Sequence, residues 1–329
     1  MDRIAFIVGE NFVYWNSLIL TAATTVAICF FLAFYIGKCG NAVAGFAVIP
    51  LSMVLGLVFA RFFHWYSRSD SYAGFWAAMT DYTAGGYTLF GVFVGCVAGA
   101  ALTRLVRLHR NLPRMLDCMA IAGCAGIVVG RMVSFFNASD RGQVIEGFTS
   151  LPFVYPVTNA VSGAVEYRLA TFLFQAVVAL VLFVALGVFY IRGQKKGLRD
   201  GDTTLVFLLC YGASQVILDS TRYDSLFFRS NGFVSIVQVM GALGLGLAIV
   251  LFSIRMVKAK GFKFWFVPLW LVIAAAVGGA GFMEYYVQRH GDQALFAYGI
   301  MSACLSVIIV LTLLVRFVAV KAEMEKFVE

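Results

Sequence analysis

The sequence predicts an all-α polytopic membrane protein, and three observations predict it. Of its 329 residues 61% are hydrophobic and only 13% charged, at a mean hydropathy of +0.89. A soluble domain of ordinary composition carries about twice that charge, roughly a quarter of its residues. Apolar runs of the roughly 20 residues that cross a bilayer core recur along the whole chain. Finally, Lys and Arg concentrate in alternate connections between those runs, the pattern that sorts loops across a membrane.

About nine spans are expected, near residues 17–37, 43–64, 86–104, 115–136, 168–191, 203–220, 233–255, 264–283 and 294–316. The runs are long and unbroken, where a membrane barrel would show alternating segments of about ten residues, so the helical form is expected. The first run begins at Ser17. It lacks a convincing small-residue cleavage site and is followed by another apolar run, so it reads as a retained span.

The net charge of +8 follows from topology. Arg104, Arg107, Arg110 and Arg114 fill one connection, Arg192, Lys195, Lys196 and Arg199 the next, and Arg255, Lys258, Lys260 and Lys263 a third. The positive-inside rule makes these cytoplasmic. With Lys38, Lys321 and Lys326 also inside, the amino terminus lies outside and the carboxyl terminus in the cytoplasm. No nucleic-acid partner is expected. Every Lys is then cytoplasmic, whereas the outer basic residues are all Arg: Arg3, Arg61, Arg68, Arg131, Arg141, Arg168, Arg222, Arg229 and Arg289. Arg grips phosphate and carboxylate through a planar fork that Lys cannot imitate. Arg3, Arg68 and Arg289 read as headgroup anchors. The seven cysteines imply no disulfide framework. The scattered His64, His109 and His290 imply no metal, and no cofactor is expected.

The two longest outer loops are 65–85 and 137–167. The second mixes Asn137, Asp140, Arg141, Glu146, Pro152, Pro156 and Glu166 with Phe148, Phe153 and Tyr155, a composition suited either to an interfacial site or to a loop resting on headgroups. Arg131 lies some five residues before the outer end of the fourth span, roughly 7 to 8 Å deep. A charge there needs a partner or a wet cavity; a lipid phosphate, a structural carboxylate or snorkelling would each serve. Tyr211, Gln215, Asp219 and Arg222 recur at spacings of three and four, making one polar face at the end of the sixth span, where Asp219 and Arg222 could bridge. Gly85 and Gly86, in the segment Gly85 to Gly91 that opens the third span, permit close approach of a substrate or a neighbouring helix.

From about residue 43 to 255 these patterns resemble the prolipoprotein diacylglyceryl transferase family. Ala60-Arg61 ends the second span, the Gly-Gly segment follows, and Gly130-Arg131-Met132-Val133-Ser134-Phe135-Phe136-Asn137 is similar to the family's Gly-Arg-Ile-Gly-Asn-Phe-Ile-Asn signature. Leu151-Pro152 and Arg168 come next, then Tyr211-Gly212 and Arg222, which fall on a Tyr-Gly…Arg-Phe…Glu…Arg segment. The resemblance implies a multi-pass protein of the bacterial cytoplasmic membrane that moves diacylglyceryl from phosphatidylglycerol to the lipobox cysteine thiol of a prolipoprotein signal peptide, releasing glycerol phosphate. It implies catalytic roles for Arg131, Tyr211, Asp219 and Arg222, and substrate-binding roles for Arg61, Ser134, Asn137, Arg168, Gln215, Gly85 and Gly86. The chain departs from the family at Phe90, where a His is usual, and at Val133, Ser134, Ser139, Gln215 and Asp219; Phe cannot move a proton. A related lipid transferase with a different acceptor, and a non-catalytic lipid- or partner-binding membrane protein, are the alternatives. Residues 1–255 are read as the transferase-like domain, and 256–329 as two additional helices with a cytoplasmic tail.

Overall fold

A computed structural model of the chain describes residues 4–39, 41–81, 86–137, 139–145, 150–159, 162–194, 199–227 and 234–328. Gly85, Arg3 and Arg229 lie outside them, as do Glu146, Phe148, Lys195 and Lys196. The helices are α1 (Trp15–Cys39), α2 (Ala42–Ser67), α3 (Phe75–Thr80), α4 (Leu89–Leu105), α5 (Leu112–Arg131), α6 (Thr171–Gln194), α7 (Asp202–Ser220), α8 (Ile236–Lys260), α9 (Phe266–Arg289) and α10 (Ala294–Val328). Eight of these are long and apolar enough to cross a membrane; α4 is as apolar but has 17 residues, about 26 Å of helix. The all-α, polytopic membrane class is therefore what the chain adopts. Two short antiparallel hairpins, which hydropathy does not foretell, accompany the helices: β1 (Ile4–Val8) with β2 (Asn11–Tyr14), and β3 (Val154–Thr158) with β4 (Val165–Leu169). Val154, Tyr155, Val157 and Thr158 favour the extended backbone, yet five residues are too few for a period to stand out.

The chain forms two compact units, one of Met1–Phe207 with Thr221–Val237, the other of Leu208–Ser220 with Gln238–Glu329. In the first, α1 packs on α5, α2 on α4 and α5 on α6. The α2–α4 contact is a small-residue seam. Gly91 of α4 lies on the backbone of Ala60, Gly95 on Gly56 and Gly99 on Ser52, the spacing that brings two membrane helices to backbone contact. A Cβ at Gly95 would fall inside the Gly56 backbone. Gly95→Val is expected to cost about 1–3 kcal/mol through overpacking, read as a lower melting temperature in detergent. Gly123→Ala should leave it unchanged, because a Cβ there meets only the Phe93 ring at 4.0 Å.

Thr88 caps α4, accepting from Gly91 N–H at 3.3 Å and donating to Ala60 O at 3.2 Å, which fixes the segment to α2. Fully buried Asp117 of α5 accepts from Gly201 N–H, Thr204 N–H and Thr204 Oγ1–H, each at 2.7 Å. An α5 carboxylate thereby satisfies the orphan donors that open α7.

The second unit holds the rest of α7 with α8, α9 and α10. Arg255 of α8 clasps Glu323 of α10 through Nε at 2.8 Å and Nη2 at 2.5 Å. Tyr298 of α10 donates to the Ser220 carbonyl at 3.1 Å. The last two helices are thus more than apolar packing, and α9 also buries Glu284.

Candidate functional site

The site grows from the end of α5. Its apolar span runs Leu112–Phe135, because the α-helix tightens after Arg131 into a 3-10 turn over Met132–Phe135. Arg131 is thus four residues from the span's end, close to the depth expected. The turn aims Arg131 at Asp140, with Nη1 3.1 Å from Oδ1. The same Oδ1 lies 2.8 Å from Nη2 of Arg222, and Oδ2 accepts from Ser134 Oγ–H at 2.9 Å. One carboxylate therefore joins two guanidiniums. Its backbone is left-handed, at φ +57°, a conformation that Asp tolerates better than most residues. Asp224 completes the knot. It accepts from Arg222 Nε at 3.1 Å and from the Asp140 N–H at 2.9 Å, and lies 3.0 Å from Arg222 Nη2.

Burial alone would raise the Asp140 pKa; Arg131, Arg222 and the Ser134 hydroxyl together outweigh it and hold the carboxyl below its ordinary value. Asp140 is therefore an anion at neutral pH and a poor proton acceptor. The loop is pinned at both sides. Phe172 N–H donates to Asp140 O at 3.2 Å, Tyr223 N–H to Arg141 O at 3.1 Å and Gly142 N–H to Leu169 O at 2.7 Å.

Arg168, on β4, forks onto Glu166 through Nε at 3.0 Å and Nη2 at 2.6 Å and stacks 4.1 Å over the Tyr223 ring. Hydrogen bonds from Asn159 and Arg168 hold the Glu166 carboxyl below its usual range. Ser134, Asn137, Arg131, Arg168 and Arg222 are thus brought to one region. Asn137 contributes its carbonyl, which accepts from Arg141 Nη2 at 3.4 Å.

The other expected site residues are held by their own surroundings. Arg61, 2% exposed, spends its donors on carbonyls, Nε on Ala78 at 2.6 Å, Nη1 on Gly86 at 3.0 Å and Nη2 on Asp81 at 2.5 Å. It holds the loop before α4. Gly86 is at φ +83° with the His64 ring lying over it, a place no side chain could share. His64 Nδ1 is 3.2 Å from the Tyr72 hydroxyl, while Phe90 packs edge-on against Phe63, centroids 4.7 Å apart. Tyr211, Gln215 and Asp219 are buried on α7 within the second unit. The helical spacing that tied Arg222 to them fails because α7 ends at Ser220; Arg222 instead sits in a β-bridge with Gly142. Sequence reasoning missed Asp224 altogether.

Fold and site together define a polytopic helical membrane protein with a guanidinium–carboxylate cluster at the end of one span. A family profile described as Prolipoprotein diacylglyceryl transferase matches residues 3–254. The chain belongs to that family. Similar proteins, each named a phosphatidylglycerol–prolipoprotein diacylglyceryl transferase, include one of Streptococcus uberis, 25% identical over 73% of this chain and 92% of the relative. One of Streptococcus pneumoniae is 28% identical over 63% of this chain and 77% of the relative. A third, of Streptococcus suis, is 28% identical over 54% of this chain, and the match spans 64% of that relative.

Proposed function

We propose that this chain transfers the diacylglyceryl group of phosphatidylglycerol to the lipobox cysteine of a prolipoprotein signal peptide, with Arg131 and Arg222 as the phosphate ligands. The observation that carries this reading is the shared Asp140, which holds both guanidiniums at one point at the end of a span. In the reaction the cysteine sulfur bonds to the glyceryl carbon as that carbon's bond to the phosphate oxygen breaks. The electron pair leaves with glycerol phosphate, and the thiol proton goes to a base. Cations aimed at the departing phosphate stabilise the charge that develops there.

Asp140, whose carboxyl Arg131 and Arg222 hold below its ordinary pKa, is the weaker candidate for the base. His64 is the better candidate, since the tautomer that donates from Nδ1 to Tyr72 leaves Nε2 free to accept. From the family resemblance alone, Tyr211 and Asn137 are assigned to orienting the glycerol backbone, Asp219 to accepting a proton, and Ser134, Arg168 and Gln215 to binding substrate. Arg61, Gly85 and Gly86 are substrate-binding positions in this reading, with the His64 ring resting over Gly86. Nine spans, with α4 counted, put the amino terminus outside, the carboxyl terminus in the cytoplasm of a bacterium, and the cluster at the outer leaflet of its inner membrane. Helices α9 and α10, within residues 256–329, add to a transferase domain of residues 1–255.

Phe90, with no proton to give or take, favours one second reading, a transferase using another acceptor. Headgroup-labelled phosphatidylglycerol in vesicles separates the two. Glycerol phosphate release that needs a Cys lipobox peptide and fails with its Ser analogue supports the thiol acceptor; release indifferent to the peptide supports the other. Slower release by His64→Gln at unchanged lipid binding assigns the proton to the imidazole, and unchanged release removes it from the mechanism.

A further inference from the structure

Arg141 is 4% exposed and is 4.7 Å from the Phe172 ring and 5.4 Å from that of Tyr155. Its Nη2 donates to the Ser134 carbonyl at 2.8 Å and the Asn137 carbonyl at 3.4 Å. Its Nε and Nη1 are buried without a hydrogen-bond partner. Burial also pulls its pKa below the usual arginine value. A guanidinium so placed is costly, because a buried charge is tolerated when paired and its donors are normally filled. Around it, Arg131, Arg168 and Arg222 each meet a carboxylate, Asp140, Glu166 and Asp140 with Asp224 respectively. Among the described residues of this region four guanidiniums therefore face three carboxylates, leaving one positive charge in excess.

The Nη2 bonds to two carbonyls fix the guanidinium plane, the aromatic rings on it exclude water, and its unfilled Nε–H and Nη1–H donors, on different edges of the plane, each suit a single anionic oxygen. We propose that Arg141 is a third anion ligand of this site, donating to a phosphate oxygen from an unfilled N–H while Arg131 and Arg222 remain tied to Asp140. The inference rests on the transferase reading for its choice of phosphate. It extends that reading by making Arg141, which among the described residues has no carboxylate at salt-bridge distance, the cation that the substrate pairs. A phosphodiester of a lipid headgroup and a free phosphate monoester share the needed chemistry.

The test compares the full-length protein with Arg141→Met in lipid nanodiscs. Binding is read with phosphatidylglycerol titrated into zwitterionic discs, and separately with soluble glycerol phosphate. Melting temperatures are measured with and without each ligand. An orphan cation held for a ligand predicts that Arg141→Met melts no lower than the wild type when ligand-free, loses ligand-induced stabilisation, and binds about ten- to a hundredfold more weakly. Loss in the lipid arm alone assigns the site to the headgroup; loss in the soluble arm as well assigns it to the phosphate after release. Arg141→Lys should recover only part of the affinity. Unchanged binding in both arms, a lower ligand-free melting temperature with affinity intact, or a wild type that binds neither phosphate overturns the proposal. Transfer to a lipobox peptide is assayed separately. A protein that binds phosphate through Arg141 without transferring refutes the transferase reading alone, and one that transfers equally well as Arg141→Met refutes this inference alone.

Discussion

Arg131→Ala is expected to slow diacylglyceryl transfer by about a hundred- to a thousandfold, the cost of losing one preorganised group from a site where charge develops. The geometry explains why the effect falls on the reaction more than on folding. With Arg131 gone, Asp140 keeps Arg222 at 2.8 Å and the Ser134 hydroxyl at 2.9 Å, so no carboxylate is stranded. Arg131→Lys should recover only part of the rate, since an ammonium on a flexible stem cannot present two parallel donors to carboxylate and phosphate together. Rates from purified protein with phosphatidylglycerol and a lipobox peptide, beside a melting curve for each variant, check this. A variant that transfers at the wild-type rate sinks the assignment of Arg131.

Asp140→Asn is expected to act on the fold. It leaves Arg131 and Arg222 pointed at a neutral amide, with side chains only 13% and 12% exposed. Breaking a buried pair from one side costs about 3–5 kcal/mol, because an uncompensated charge stays behind. The pH dependence has a definite sign. Arg131 and Arg222 hold the Asp140 carboxyl below its ordinary pKa, so its stabilising contribution is complete above about pH 4, the unfolded value. It is lost only as pH falls through the lower folded value. The wild-type melting temperature should therefore fall in strong acid by a margin that Asp140→Asn lacks. Equal acid sensitivity in both proteins would place the stabilising charge elsewhere.

The spans were legible because a bilayer imposes a length and a composition, and runs such as 171–194 satisfy both without interruption. Arg131 was legible for the same reason in reverse, as a charge inside an apolar run that has to be answered. Its partner was not. Asp140 lies nine residues on and reaches back through a left-handed residue after a 3-10 turn, and neither feature leaves a periodic trace. The polar face read from Tyr211 to Arg222 failed at its last member, since nothing in Ser220-Thr221 announces that the helix stops. Arg61 was visible as a cation at the end of a span, but the backbone carbonyls that claim it carry no sequence signal. Gly86 was visible as a position of close approach; that the neighbour would be His64 was not.

Resemblance and geometry address different parts of the problem. Family membership makes the acidic lipid and the acceptor peptide the first substrates to try. On the proposed reading an acidic headgroup meets two guanidiniums that Asp140 keeps aligned and Arg141, whose Nε and Nη1 have no hydrogen-bond partner. Phe90 cannot carry a proton, so in the proposed reaction His64 or another group takes the thiol proton. The most direct measurement is the mass of a lipobox peptide incubated with the purified protein in phosphatidylglycerol vesicles. The account predicts a gain of one diacylglyceryl group on the cysteine, absent with Arg131→Ala. A peptide of unchanged mass, with wild-type protein that is folded and binds phosphatidylglycerol, would contradict it.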